Sequence, residues 1–458
     1  MVKTYEKVDM IEHGVHKYSA AKNWVKPKDP LLLERLEWFK DQKLALMIHW
    51  GPNSQLGVGM SWPLSDDDKE WSRETVDWTD DDEEFKRQYI DLNKTFNPIR
   101  FQPDVWADLA AKNGFKYLIF TTKHHDGFCL WDTKTTDYRI TAKDCPFHTH
   151  KYADITKNVF NAFREKGLGI AAYFSKPDWH SPYYWAPGME RGSFTDRNPS
   201  YDPEEYPWLW EKFTEFTHEQ MLELVSNYGS IDILWLDGGQ VNGGKQNIKL
   251  GEVVGKARKI KPDLIVADRT IGGDFENYLT PEQTIPEHAL DVPWESCITI
   301  GKTFCYRYDD HYKSLQEIIH ILIEVVAKGG NLALNVSPQP DGRLPIEAIE
   351  RMKDLGKWLD KYGEAIYKTR ICAPYFTGKF AFTKREDAVY CFRLYRADEQ
   401  REKYLTIPFK EEVQQIDIVG EEENIPFDTS DDGLTIRILN NKQSNESPIV
   451  DVFKLTTQ

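Results

Sequence analysis

The sequence predicts a parallel α/β barrel followed by an antiparallel β-sandwich. Three observations carry that reading. Short apolar runs alternate with helical stretches up to about residue 360, the pattern of parallel strands joined by crossover helices. The runs end repeatedly in polar residues: His49, His124, Tyr173, Asp237, Arg269 and Asn335. A barrel brings such ends together on one face, whereas an open doubly wound sheet gathers ligand groups at a single switch point. Beyond about residue 366 the helical pattern stops and only short strand-like runs remain. A chain of 458 residues exceeds one ordinary core, and the change of pattern divides it into a catalytic barrel, 1–365, and a β-sandwich, 366–458.

The first barrel strand is Leu44-Ala45-Leu46-Met47-Ile48, running into His49-Trp50. A helix over 105–113 leads to a strand at 117–123, and a helix over 153–166 to a strand at 169–174. Helix 207–227 precedes Ile231-Asp232-Ile233-Leu234-Trp235-Leu236, a buried strand stopped by Asp237-Gly238-Gly239. Helices 250–259 and 313–327 precede strands 264–269 and 331–336, and helix 345–361 closes the series. The runs 389–395, 404–407, 413–419, 434–439 and 449–455 build a sandwich of about 90 residues.

Composition narrows the function. The net charge is −16, which disfavours nucleic acid and anionic membrane surfaces as partners. The acidic runs at 66–68 and 80–84 read as solvated faces or loops. No run approaches the ~20 apolar residues of a membrane span, and no apolar signal core follows the N-terminus. A cytoplasmic location is therefore expected, with a removed signal and a periplasmic or secreted location left open. Cys129, Cys145, Cys297, Cys305, Cys372 and Cys391 are scattered without a CxxC pair, which reads as buried thiols in a reducing compartment. Aromatics make up 13% of the chain; most serve the core, and their flat faces also suit sugars.

Asp237 is the sharpest candidate for chemistry. Its carboxylate ends an apolar strand, and two glycines clear space beside it. A plainer account makes it a helix cap. His124 and His125 follow another strand, and neutral imidazoles there can bind hydroxyls or ligate a metal. His148-Thr149-His150 has the HxH spacing of metal-dependent barrel hydrolases, but it lies in a loop and reads as loop polarity. Glu282, Glu287 and Glu295 lie in a Pro-rich irregular stretch after Arg269. As a loop over the barrel mouth, it could bring one carboxyl opposite Asp237, the pair that glycoside cleavage requires; the others would be loop salt bridges. No nucleophile elbow, Walker A loop or dinucleotide fingerprint is present.

The segments Leu46-Met47-Ile48-His49-Trp50-Gly51, Thr121-Thr122-Lys123-His124-His125-Asp126-Gly127-Phe128, Ala172-Tyr173-Phe174-Ser175, Leu234-Trp235-Leu236-Asp237-Gly238, Pro293-Trp294-Glu295 and Lys328-Gly329-Gly330-Asn331-Leu332-Ala333-Leu334-Asn335-Val336-Ser337-Pro338 together resemble the retaining α-L-fucosidases of glycoside hydrolase family 29. The resemblance implies an exo-acting enzyme that cleaves terminal α-L-fucosyl linkages by double displacement, through a covalent fucosyl-Asp237 intermediate. It implies Glu282 as acid/base, with Glu295 as runner-up, and a sugar pocket of His49, Trp62, His124, His125, Tyr173, Trp235 and Arg269. Its substrate would be a fucosylated oligosaccharide or glycoconjugate. No metal, cofactor, nucleic acid or membrane is expected, and a homo-oligomer is compatible with it. One departure stands out: the acid that many members carry just before the pocket Trp is absent from Gly59-Met60-Ser61-Trp62, with Glu70-Trp71 nearby as a candidate replacement. The alternatives are a fucose-binding protein without catalysis and a metal-dependent barrel hydrolase.

Overall fold

The computed structural model describes residues 10–13, 16–189, 197–241, 243–386, 388–421, 424–438 and 448–457. Leu439 of the expected 434–439 strand lies outside them. A short antiparallel hairpin, β1 (Met10–His13) and β2 (His16–Ser19), opens the fold. Helix α1 (Pro30–Gln42) follows, with Asp29 accepting the Leu31 N–H and Pro30 at the first turn, a favourable helix start. Its Leu32, Leu36 and Phe39 close the lower end of the barrel.

Seven parallel strands form the barrel wall: β3 (Leu44–Ile48), β4 (Tyr117–Lys123), β5 (Gly169–Ser175), β6 (Ile233–Asp237), β7 (Ile265–Asp268), β8 (Glu295–Thr299) and β9 (Asn331–Val336). Their order is β7-β6-β5-β4-β3-β9-β8. Between β3 and β4 stand α2 (Lys69–Ser72), α3 (Asp82–Ile90) and α4 (Pro103–Lys112); the later crossovers carry α5 (Ile155–Glu165), α6 (Pro207–Asn227), α7 (Leu250–Ile260), α8 (Leu315–Ala327) and, after β9, α9 (Ile346–Tyr362). The eighth place in the wall belongs to an irregular segment. Glu276 bridges to Ala267 of β7, while Leu279 and Glu282 bridge to Trp294 and to Cys297 of β8. The stretch expected as a loop over the mouth is therefore part of the wall, because its N–H and C=O groups are paired on both sides.

Alternation along the strands decides what faces inward. Leu44, Leu46, Leu118, Phe120, Ala172, Leu234 and Val266 pack outward against the helices. Ala45, Met47, Ile119, Tyr173, Ile233, Trp235 and Ala267 pack inside the barrel. Continuing that period of two puts His49 and Asp237 on the inner face at its upper rim.

The antiparallel region contains more strands than the sequence suggested. β10 (Arg370–Phe376), β11 (Phe380–Arg385), β12 (Ala388–Leu394), β14 (Val413–Ile418) and β17 (Val450–Thr457) form one sheet in the order β10-β11-β12-β17-β14. β13 (Tyr404–Ile407), β15 (Phe427–Ser430) and β16 (Gly433–Arg437) form the other, in the order β13-β16-β15. Cys391, Leu405, Ile407, Ile416, Ile436 and Phe453 fill the space between the two sheets. Phe392, Leu394 and Val452 join the barrel's core instead, and α8 packs against β10 and β11. All six cysteines are buried and none is in a disulfide. Among the described residues no helix is long and apolar enough to cross a membrane.

The acidic runs are not simply solvated. Asp81 caps α3, and Asp82, Glu83 and Glu84 occupy its first turn, where the helix dipole favours negative charge. Asp68 is buried and paired with Arg197.

Candidate active site

A cavity of about 720 Å³ opens at the upper end of the barrel. It brings together every residue expected there except Glu295: His49, Trp62, His124, His125, Tyr173, Trp235, Asp237, Arg269 and Glu282. Glu287 is exposed on the surface beside His288.

Asp237 ends β6. Gly238 follows with φ +82°, and a Cβ there would come within 2.2 Å of Pro177, so the chain can turn away from the carboxylate only with glycine at this position. The carboxylate accepts hydrogen bonds from the Tyr173 hydroxyl at 2.5 Å and from Arg269 Nη1 at 2.7 Å. His125 Nε2 lies 3.7 Å from it. Burial alone would raise the pKa of Asp237, but Arg269, His125, the Tyr173 hydroxyl and His124 outweigh burial and hold it well below the usual carboxylate range. The side chain keeps 18% of its surface exposed, enough for a ligand to reach it.

Arg269 follows β7. Its Nη2 donates to Glu282 Oε2 at 2.6 Å, so one guanidinium spans the two carboxylates. The fork is fixed from below, where Arg269 stacks over the Trp235 ring, 4.5 Å from its centroid, and its Nε donates to the Thr280 hydroxyl. Glu282 is reached from the irregular wall segment, which β7 and β8 hold on both sides.

The three histidines are neutral groups. Burial lowers His49 and His125 to about 4 and His124 well below its ordinary value. Each has one ring nitrogen tied to the scaffold: His49 Nδ1 to Asn335 at 2.8 Å, His124 Nδ1 to Ser61 at 2.6 Å and His125 Nδ1 to Ser175. That leaves the Nε2 edges for a ligand's hydroxyls. Trp62 meets His124 and His125 edge-on, and Phe304 lies against His49.

Ser61, immediately before Trp62, bonds both His124 and the Asp126 N–H through its hydroxyl. The carboxylate lining this side of the cavity is Asp68, whereas Glu70 is exposed. Sequence reasoning missed Asp68, Arg197 and the Lys302–Cys305 loop, all of which line the cavity, as does Trp71, which the sequence offered beside Glu70.

Glu295 is elsewhere. It starts β8 at the barrel floor, fully buried, and accepts from Tyr117, from Trp235 Nε1 at 3.0 Å and from Tyr278 at 3.4 Å. His148 and His150 belong to a short 3-10 turn outside the cavity, His148 bonding the Cys145 carbonyl and His150 stacking on Phe147. One donor atom each of His124, His125 and Asp237 lies within 4.8 Å of the others, a spacing that a cation could bridge. The Arg269 guanidinium on the same Asp237 carboxylate would repel it.

The α-L-fucosidase family model matches residues 15–364. The chain is 28% identical over 346 residues to the plasma α-L-fucosidase of Rattus norvegicus, covering 72% of this chain and 70% of that protein. It is 27% identical over 420 residues to the tissue α-L-fucosidase of Homo sapiens, covering 88% and 84%. Among solved structures, α-L-fucosidase isoenzyme 1 from Paenibacillus thiaminolyticus superposes with a TM-score of 0.76 at 25% identity, over 93% of this chain and all of that one. The Thermotoga maritima α-fucosidase in complex with fucose superposes with a TM-score of 0.74 at 26% identity, over 94% of this chain and 100% of that one.

Proposed function

Because this chain belongs to the α-L-fucosidase family of glycoside hydrolases, we propose that the cavity hydrolyses terminal α-L-fucosyl linkages of glycans with retention at the anomeric carbon. The observation that carries this is the single Arg269 guanidinium holding Asp237 and Glu282 together. Retaining enzymes keep their two carboxyls about 5–5.5 Å apart, while inverting ones leave room for a water between them.

Asp237, ionised and facing the cavity, attacks the anomeric carbon as Glu282 gives its proton to the departing oxygen. A fucosyl ester of Asp237 forms and the aglycone leaves. Glu282, now a carboxylate, takes a proton from water, which attacks the same carbon, frees Asp237 and yields α-L-fucose. The neutral histidines bind the sugar hydroxyls as donors and acceptors, and Trp62, Trp235 and Phe304 supply apolar surface for the ring and its methyl group. Arg269 and Tyr173 keep the Asp237 carboxylate ionised and aimed. Residues 1–365 form the catalytic unit and 366–458 the β-sandwich, a division supported by the change from parallel to antiparallel pairing after α9.

The test is proton NMR of the first sugar released from an aryl α-L-fucoside. α-L-Fucose is the expected product. First-formed β-fucose overturns the mechanism, and binding without release reduces the protein to a lectin.

A further inference from the structure

The cavity is larger than one sugar ring requires. Its volume of about 720 Å³ falls well within the range of roughly 300–1,000 Å³ that holds drug-sized ligands. Its floor is shut by Trp235 and the Glu295 network. Fucose must therefore sit at the buried carboxylates, and whatever it is attached to must lie toward the opening.

The side of the opening next to Trp62 is built in an unusual way. Trp71 is 49% exposed although it lines the cavity. Its ring centroid is 6.3 Å from that of Trp62. Gly59 passes beside both indoles, and a Cβ there would meet each at ordinary van der Waals distance. Asp68 holds the arrangement from behind. Its carboxylate, 3% exposed, accepts the Trp71 indole N–H at 3.1 Å, Arg197 Nε at 2.9 Å and Arg197 Nη2. Arg197 in turn lies over Trp62, 4.8 Å from the ring centroid. Two of its nitrogens are committed to Asp68, and Nη1 has no partner among the described residues.

An exposed ion pair usually contributes little to stability. Here the pair fixes a half-exposed indole face and a guanidinium edge beside each other at the mouth of a sugar pocket. We propose that Trp71 and Arg197, held by Asp68, seat the sugar that carries the fucose. The ligand is a neutral pyranose whose apolar face lies on Trp71 and whose hydroxyl accepts from Arg197. A charged sugar is disfavoured because Asp68 already neutralises the guanidinium. This inference rests on the fucosidase reading and names its leaving group.

Two substrates separate the two claims. α-L-Fucosyl fluoride needs the carboxylates and the fucose pocket but places no ring at the mouth; an α-L-fucosyl disaccharide needs both. For Trp71→Ala, the ratio of kcat/KM on the disaccharide to that on the fluoride falls about tenfold relative to the wild type, roughly what one lost pocket contact is worth. Arg197→Gln lowers the same ratio, with the loss appearing mainly in KM. An unchanged ratio in both variants overturns the proposal, as does an equal loss on both substrates, which marks a purely structural role. If the wild-type protein cleaves neither substrate, the fucosidase reading fails first and this one with it.

Discussion

At the mouth of the barrel, Asp237 faces a guanidinium 2.7 Å away and a hydroxyl at 2.5 Å. At the floor, Glu295 faces two phenols and an indole N–H, with no cation bonded to it among the described residues. Both carboxyls surround the same residue: Trp235 carries Arg269 on its face and donates to Glu295 from its edge. The difference lies in what is left open. Asp237 keeps a solvent-facing edge and a full negative charge, held by Arg269 against the pull of burial. Glu295 is closed on all sides, and burial pushes its pKa up to about 7. A carboxyl that is to react must stay charged and reachable; one that only ties a barrel together can be saturated and neutral.

The largest test of this contrast removes the proposed nucleophile. Asp237→Asn is expected to lower kcat on an aryl α-L-fucoside at least about a thousandfold, with circular dichroism unchanged. Asp237→Ala in azide should turn over to β-L-fucosyl azide, because the small anion enters from the vacated face and inverts the centre. Near-normal turnover in the Asn variant would remove Asp237 from the chemistry.

Next comes the choice between the two glutamates. Glu282→Ala is expected to lose about a hundred- to ten-thousandfold in kcat/KM on a glycan whose leaving group needs a proton. On an activated aryl fucoside, kcat and KM should fall together as the fucosyl-enzyme accumulates. Azide should then release α-L-fucosyl azide, since it attacks an intermediate already inverted once. If Glu295→Ala shows this pattern and Glu282→Ala does not, mouth and floor must exchange roles.

Much of the mouth is legible in the sequence because it follows the period of two. His49, Tyr173, Trp235 and Asp237 each continue an inward-facing register that the apolar neighbours announce. The eighth wall segment escapes notice because Pro281, Pro286 and Pro293 break any strand pattern, and its bridges are isolated. Asp68 looks like part of a solvated acidic run because its partner, Arg197, is 129 residues away. Strands β10 and β15 are hidden for another reason: their side chains are mostly exposed or half-exposed, so neither carries the hydrophobic signal that marks β12 and β17.

The smallest expected effect tests the floor itself. In the folded protein Glu295 titrates near 7 because burial outweighs its three donors and the charge of Arg269; in an unfolded chain a glutamate titrates at about 4.3. The folded state therefore holds a proton that the unfolded state releases between these values. Its stabilising contribution is complete below about pH 4.3 and is lost as the pH rises through about 7. The amount is on the order of 3 kcal/mol. Glutamine cannot ionise, so Glu295→Gln should lack this loss. The three histidines of the cavity act the other way, since their lowered values make the fold less stable as the pH falls below about 6.5. Glu276, also raised to about 7, adds a term like that of Glu295. Both remain in the variant, so the difference between the two Tm profiles isolates residue 295. That difference should move in the variant's favour between pH 5 and 8, while kcat/KM stays within about tenfold of wild type, as expected for a group that only positions Trp235. Parallel profiles would mean that Glu295 is ionised in the fold throughout, and the floor would then be a second charged site like the mouth.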